Sequence, residues 1–186
     1  MLVLVMVGVV IGQFFVPRAQ GRTLPEFYPA AHFSLIDQSG KPFSDRDLAG
    51  HPYISTFIFT HCTGSCPVIS AKMAQLQKFT PADVELVSFS VDPINDTPAV
   101  LDQYARNFQA DPTRWHLLTG TVSQMQDVSD DMKVTVRNGN VPSPLVHSTN
   151  FFLVDGRGMV RGIYDSQSES SVQQLTDDAR QLSAGS

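Results

Sequence analysis

The two cysteines of this 186-residue chain, Cys62 and Cys66, stand where a strand pattern gives way to a helix pattern, and that junction constrains the fold more than any other stretch. Ile54-Ser-Thr-Phe-Ile-Phe-Thr-His61 is rich in β-branched and aromatic residues and reads as a buried strand. It runs directly into Cys62-Thr-Gly-Ser-Cys66-Pro67, whose central residues are turn-forming. Beyond Pro67, apolar Val68, Ile69, Met73, Leu76 and Phe79 follow the spacing of an amphipathic helix. The order strand, thiol loop, helix places Cys66 in the first helical turn, where free N–H groups and the helix dipole favour a thiolate and a reactive thiol. Pro67 suits that turn because its missing N–H would have had no partner there.

Free cysteines are often just small buried hydrophobes. Flanking Gly and Ser and an adjacent helix start point instead to chemistry. The gap is one residue longer than the Cys-x-x-Cys of thioredoxin-type sites, so the pair can close a disulfide or open to present two sulfurs to one metal. Tetrahedral zinc would need His or carboxylate ligands besides the two sulfurs. Soft Cu(I), content with two or three ligands, matches two thiolates and an imidazole better.

The remaining elements alternate. Phe33 to Phe43 reads as a hairpin around Gln38-Ser39-Gly40, followed by a helical turn over 45–48. Val84 to Val91 is a strand, Thr97 a candidate N-cap and Pro98 a first-turn proline for a helix from Ala99 to Phe108. Trp115 to Thr119 is a short strand and Val122 to Met132 a helix. Val146 to Val154 and Met159 to Tyr164 form a hairpin across Asp155-Gly-Arg-Gly158, and a last helix covers about 171–182. This order predicts an α/β fold, a mixed central sheet with helices on both faces.

A formal net charge of −5 and no basic run give no electrostatic footprint for nucleic acid, which is not expected as a partner. Residues 1–16 are uncharged and apolar or neutral, a little short of the roughly twenty that span a bilayer. They read as an N-terminal membrane anchor, residues 17–30, with three prolines, as a linker, and 31–186 as one globular domain. No basic residue precedes the apolar run, and Arg18 and Arg22 lie on the side to be translocated, so the natural start is expected upstream.

Four motifs, Phe59-Thr-His-Cys62-Thr-Gly-Ser-Cys66-Pro67, Ser90-Val-Asp92-Pro-Ile-Asn-Asp96-Thr-Pro98, Trp115-His-Leu-Leu-Thr119-Gly120, and His147 ahead of Phe151-Phe-Leu-Val-Asp155-Gly-Arg-Gly158, stand in one order. In these the chain resembles the Sco (SenC) family of thioredoxin-fold proteins, which deliver copper to the binuclear copper site of cytochrome c oxidase subunit II. The resemblance implies a thioredoxin-like fold and copper, Cu(I) or Cu(II), held by Cys62, Cys66 and His147. It implies oxidase subunit II as partner, alongside other copper chaperones and thioredoxin-like reductants. Many members have Pro-Asp after the first cysteine, where this chain has Thr63-Gly64.

Read on its own, His147 begins a strand after Asn138-Gly-Asn-Val-Pro142-Ser-Pro144, a loop expected to swing it over the thiols. His61 is the competitor, turned away if Thr60-His61-Cys62 is extended; His32, His51 and His116 read as fillers. Asp92, at the end of the Val84–Val91 strand, is the expected carboxylate beside the thiol loop, with a turn Asp as its plainer reading. The function expected is a copper chaperone tethered to a bacterial inner membrane with its domain in the periplasm. The alternative is a thiol:disulfide oxidoreductase in which Cys62 and Cys66 are the catalytic redox pair. A thioredoxin-fold peroxidase fits the doubled thiol loop less well.

Overall fold

The computed structural model describes residues 23–134 and 149–185. The anchor expected at 1–16 and the ligand expected at His147 lie outside these described residues.

Strands β1 (Ser34–Asp37) and β2 (Pro42–Ser44) form the expected hairpin, and a 3-10 turn follows at Asp45–Leu48. Strand β3 (Tyr53–Ile58) leads into α1 (Cys66–Phe79), β4 (Glu85–Ser90) into α2 (Pro98–Asn107), and β5 (Trp115–Thr119) into α3 (Val122–Asp131). The hairpin β6 (Asn150–Val154) and β7 (Val160–Asp165) precedes α4 (Glu169–Ser183). The sheet order is β2-β1-β5-β4-β3-β6-β7. Strands β3, β4 and β5 are parallel, while β6 joins β3 and β1 joins β5 antiparallel, which makes the mixed sheet that the element order predicts.

The central strands are covered on both faces. Every residue of β3 is buried, so its sequence reads as a continuous run with no polar side. Ile54, Ile58, Leu86, Trp115 and Leu153 pack with Ile69, Met73, Leu101, Leu175 and Ala179 from α1, α2 and α4. Phe57, Val87, Phe89 and Leu118 pack on the other face with Met125 and Val128 from α3. The period-2 alternation of the strands sorts the side chains between these two cores.

Two features are not visible in the sequence pattern. The Gln38 side chain extends the short β1–β5 pairing, its Nε2 donating to the Trp115 carbonyl at 2.9 Å and its Oε1 accepting the Leu117 N–H at 2.8 Å. Residues 24–30, assigned to a linker on composition, are docked against β7. Phe27 N–H donates to the Val160 carbonyl, Val160 N–H to the Tyr28 carbonyl, and Leu24 is buried in the core shared with α1 and α4. Arg161 donates to the Pro25 and Leu24 carbonyls and to Asp155, tying the segment to the β6–β7 turn.

This docking should carry stability. By urea unfolding, a chain starting at residue 31 is expected to have a lower midpoint than one starting at 23, and Leu24→Ala alone should cost about 2–4 kcal/mol. Equal midpoints would show the segment to be a tether after all.

Candidate functional site

Strands β3 and β4 are parallel neighbours in register from Tyr53↔Glu85 to Ile58↔Ser90, so the loops leaving their C-terminal ends lie side by side. In an open α/β sheet this edge is where ligands collect. The first loop carries the thiols. Cys62 N–H donates to the Phe59 carbonyl at 3.3 Å, and Ile69 N–H to the Ser65 carbonyl at 2.9 Å opens the helical ladder. Thr60-His61 is therefore a turn and not the extended segment expected. His61 is exposed, with Nδ1 3.3 Å from Thr60 Oγ1. Among the described residues no three His, Cys, Asp or Glu side chains are grouped to hold a metal ion, so His61 does not complete a site with the two thiols.

The helix starts at Cys66, with Pro67 behind it in the first turn as the sequence predicts. The expected reactivity, however, falls on the other cysteine. Cys66 is fully buried among Ile58, Ile69, Leu101 and Tyr104, and burial pushes its thiol up to about 12, with the neighbouring Cys62 sulfur and Asp96 carboxylate adding to the shift. Cys62 is half-buried. Desolvation acts against its thiolate, but the N–H groups of Cys66, Gly64 and Ser65 and the Cys66 thiol all donate to its sulfur and bring it below the ordinary cysteine range. The Gly64, Ser65 and Cys66 amides, which lead into α1, point at Cys62, whereas the Cys66 sulfur has the Phe59 N–H as its one backbone donor against a larger cost of burial, which is the physical reason for the reversal.

The departure at Gly64 is not forced by space or backbone. A Cβ there would meet the Cys62 Sγ at 3.9 Å, an ordinary contact, so the glycine adds chain freedom beside the thiols without being required.

The carboxylate that reaches the thiol loop is Asp96. Fully buried, it accepts from Thr60 Oγ1 at 2.5 Å, from the Thr60 N–H at 3.2 Å and from Ser90 Oγ at 2.6 Å. Asp92 makes a turn instead. Its carboxylate accepts from Asn95 Nδ2 at 2.8 Å, and its carbonyl accepts the Asn95 and Asp96 N–H groups. Only the place of Asp96 in the β4–α2 loop, immediately before the Thr97 N-cap, could have signalled it. Tyr104 on α2, hydrogen-bonded to Ser70 at 2.9 Å and packed in the Cys66 cluster, has its hydroxyl raised to about 12 by burial and so stays neutral beneath the thiols. Two other described histidines sit elsewhere. His116 stacks on Phe43 and lies 3.5 Å from Glu85, and His32 pairs with Asp45 at 2.7 Å.

The asymmetry of the pair is directly measurable. In the reduced, metal-free chain near neutral pH, iodoacetamide should modify Cys62 at least about tenfold faster than Cys66. Peptide mass spectrometry that finds equal labelling would contradict it.

The SCO1/SenC family profile matches residues 23–183. A SCO1 protein homolog of Bacillus subtilis is 32% identical over 164 residues, covering 86% of this chain and 85% of that protein. The crystal structure of a SCO1/SenC family lipoprotein from Bacillus anthracis is 34% identical with a TM-score of 0.78, covering 84% of this chain and 95% of that one. Arabidopsis thaliana ScoI, solved with copper bound, is 27% identical with a TM-score of 0.70, covering 84% of this chain and 99% of that one. The profile spans nearly all of the described residues, both thiols included, and the chain belongs to the SCO1/SenC family.

Proposed function

We propose that this protein is a copper chaperone that holds one copper ion through Cys62, Cys66 and His147 and delivers it to the binuclear copper site of cytochrome c oxidase subunit II. The observation that carries this reading is the thiol pair itself. Two sulfurs are in mutual hydrogen-bond contact at the open edge of the sheet, one exposed enough to meet an incoming ligand and the other fixed in the core beneath it. Two thiolates and an imidazole are the donor set that suits Cu(I), and copper in the Arabidopsis relative supports the assignment. His147 as third ligand comes from the family resemblance, as does the oxidase partner. Tethering by residues 1–16 to a bacterial inner membrane, with the domain in the periplasm, belongs to the same proposal. Among the described residues no helix is long and apolar enough to cross a membrane.

Residues of this chain would govern loading and release. Copper replaces the proton that the buried Cys66 holds, and Cys62, already favoured as a thiolate, receives the ion first. Release runs through the exposed side, where a partner thiolate can displace Cys62 while Cys66 stays in place. Exposed Val68 in the first turn of α1 and Ile94 in the β4–α2 loop give that edge an apolar rim suited to a protein partner.

A second reading is favoured by the same asymmetry. A low, accessible Cys62 over a high, buried Cys66 is the arrangement of an attacking and a resolving thiol in disulfide exchange. The thiol:disulfide oxidoreductase therefore stays as the alternative, acting on the cysteines of a partner, and it has no use for His147.

Metal titrations distinguish the two. One Cu(I) per chain is expected, either Cys→Ser substitution should weaken binding by more than about 100-fold, and His147→Ala should weaken it far more than His61→Ala. Because Cys66 keeps its proton up to about 12, apparent affinity should rise about tenfold per pH unit between pH 6 and 8 from that proton alone. Normal oxidase copper loading in cells carrying only the His147→Ala protein would favour the oxidoreductase.

A further inference from the structure

Asp96 is a carboxylate with no exposed surface, and such a group is costly to bury unless its oxygens are well supplied with donors. Its described partners are all neutral: the Thr60 hydroxyl at 2.5 Å, the Thr60 N–H at 3.2 and 3.3 Å, and the Ser90 hydroxyl at 2.6 Å. These donors come from two places only, the thiol loop and the end of β4. The carboxylate itself is anchored from a third. Asp96 N–H donates to the Asp92 carbonyl at 2.9 Å, and the next residue, Thr97, caps α2 by accepting the Val100 N–H. Packing alone would be served as well by an apolar side chain, whereas a carboxylate that joins three chain segments fixes one loop geometry.

What it fixes is the entry to the site. Thr60 lies two residues before Cys62, in the turn closed by the Cys62 N–H to Phe59 carbonyl bond. From there to Cys66 the loop is tied by the N–H groups that donate to the Cys62 sulfur and by the Phe59 N–H that donates to the Cys66 sulfur, while Thr63 and Gly64 are exposed and Gly64 has room for a Cβ it does not carry. Cys66 is held by the core and by the helix. The position of Cys62 relative to it depends on those bonds together with the place where Thr60 is pinned to the sheet and α2.

We propose that Asp96 is the positioning residue of the thiol site: by binding Thr60 and Ser90 together it sets the turn that delivers Cys62 over Cys66, and so sets how strongly the two sulfurs hold a shared metal ion or each other. Both outcomes follow from effective concentration, which falls when the loop is free to carry Cys62 away. For copper the inference rests on the function proposed above; for the disulfide it does not.

The test uses the full chain and three variants, Asp96→Asn, Thr60→Val and Thr60→Ser. Cu(I) affinity is read by competition with a chromophoric chelator. Disulfide stability is read metal-free from the equilibrium in which the protein disulfide takes two electrons and two protons from two glutathione thiols, giving the dithiol and one glutathione disulfide. Asn keeps the shape of Asp96 but only one acceptor oxygen, and it should shift both equilibria about tenfold toward released copper and reduced thiols. Thr60→Val, which keeps the N–H bond, should shift them about threefold, and Thr60→Ser should restore wild-type values. Should Asp96→Asn fail to fold, the Val and Ser variants at half-buried Thr60 decide the question. Variants that lose thermal stability but keep both equilibria would overturn the inference, as would Thr60→Ser falling as far as Thr60→Val. Wild-type protein that binds no copper ends the chaperone reading alone and leaves the disulfide arm to decide this one.

Discussion

The N–H groups of Gly64, Ser65 and Cys66, the last two loop residues and the first residue of α1, have no partners within the helix, and this chain directs them at the sulfur of Cys62. The arrangement requires the strand before the loop to be fixed, the helix to begin at Cys66, and the turn between them to place Cys62 just ahead of the helix. Burial on both faces fixes β3, and the parallel pairing with β4 sets its end next to the loop that carries Asp96. Cys66 and Pro67 start the helix. The site is thus the point at which the sheet, the helix and two loops meet, and its electrostatics follow from that geometry: three backbone donors around one sulfur, and for the other a buried place with a single backbone donor and the Asp96 carboxylate nearby.

Such a pair suits reversible holding. Two exposed thiolates would oxidise readily in an oxidising compartment, and two buried thiols would resist deprotonation and bind metal slowly. With one of each, the proposed chaperone would capture and hand over copper at the accessible sulfur and retain it at the buried one. Under the proposed function the protonated Cys66 would also make copper compete with a proton, which would tie the strength of holding to pH and to what the partner offers. The apolar rim at Val68 and Ile94 and the spare freedom at Gly64 lie around the same edge, where transfer to another protein would need both contact and room to rearrange.

Much of the architecture is legible in the sequence because it rests on local signals. The β1–β2 hairpin, the Thr97 cap with Pro98, the β5 strand from Trp115 to Thr119, and the helix start at Cys66 all follow from periodicity and caps, with ends differing by a few residues. The docking of 24–30 does not, because Pro25 and Pro29 resemble a tether until β7 supplies the backbone partners. At the site, the sequence places both cysteines but suggests the reverse of their roles: the dipole argument names the turn, whereas only coordinates show which sulfur the amides face and which the core covers. Asp92 draws attention over Asp96 for a similar reason. The strand-terminal Asp carries the visible motif, but the chain reverses after it and brings the next acidic residue back to Thr60.

Central to this picture is that the two sulfurs of the pair share one copper ion. Copper K-edge X-ray absorption on the full chain loaded with one equivalent of Cu(I) tests it most directly. Two sulfur scatterers and one imidazole nitrogen are predicted, with the imidazole contribution lost in His147→Ala and one sulfur lost in Cys66→Ser. A first shell without sulfur, or one unchanged when Cys66 is replaced, would contradict it.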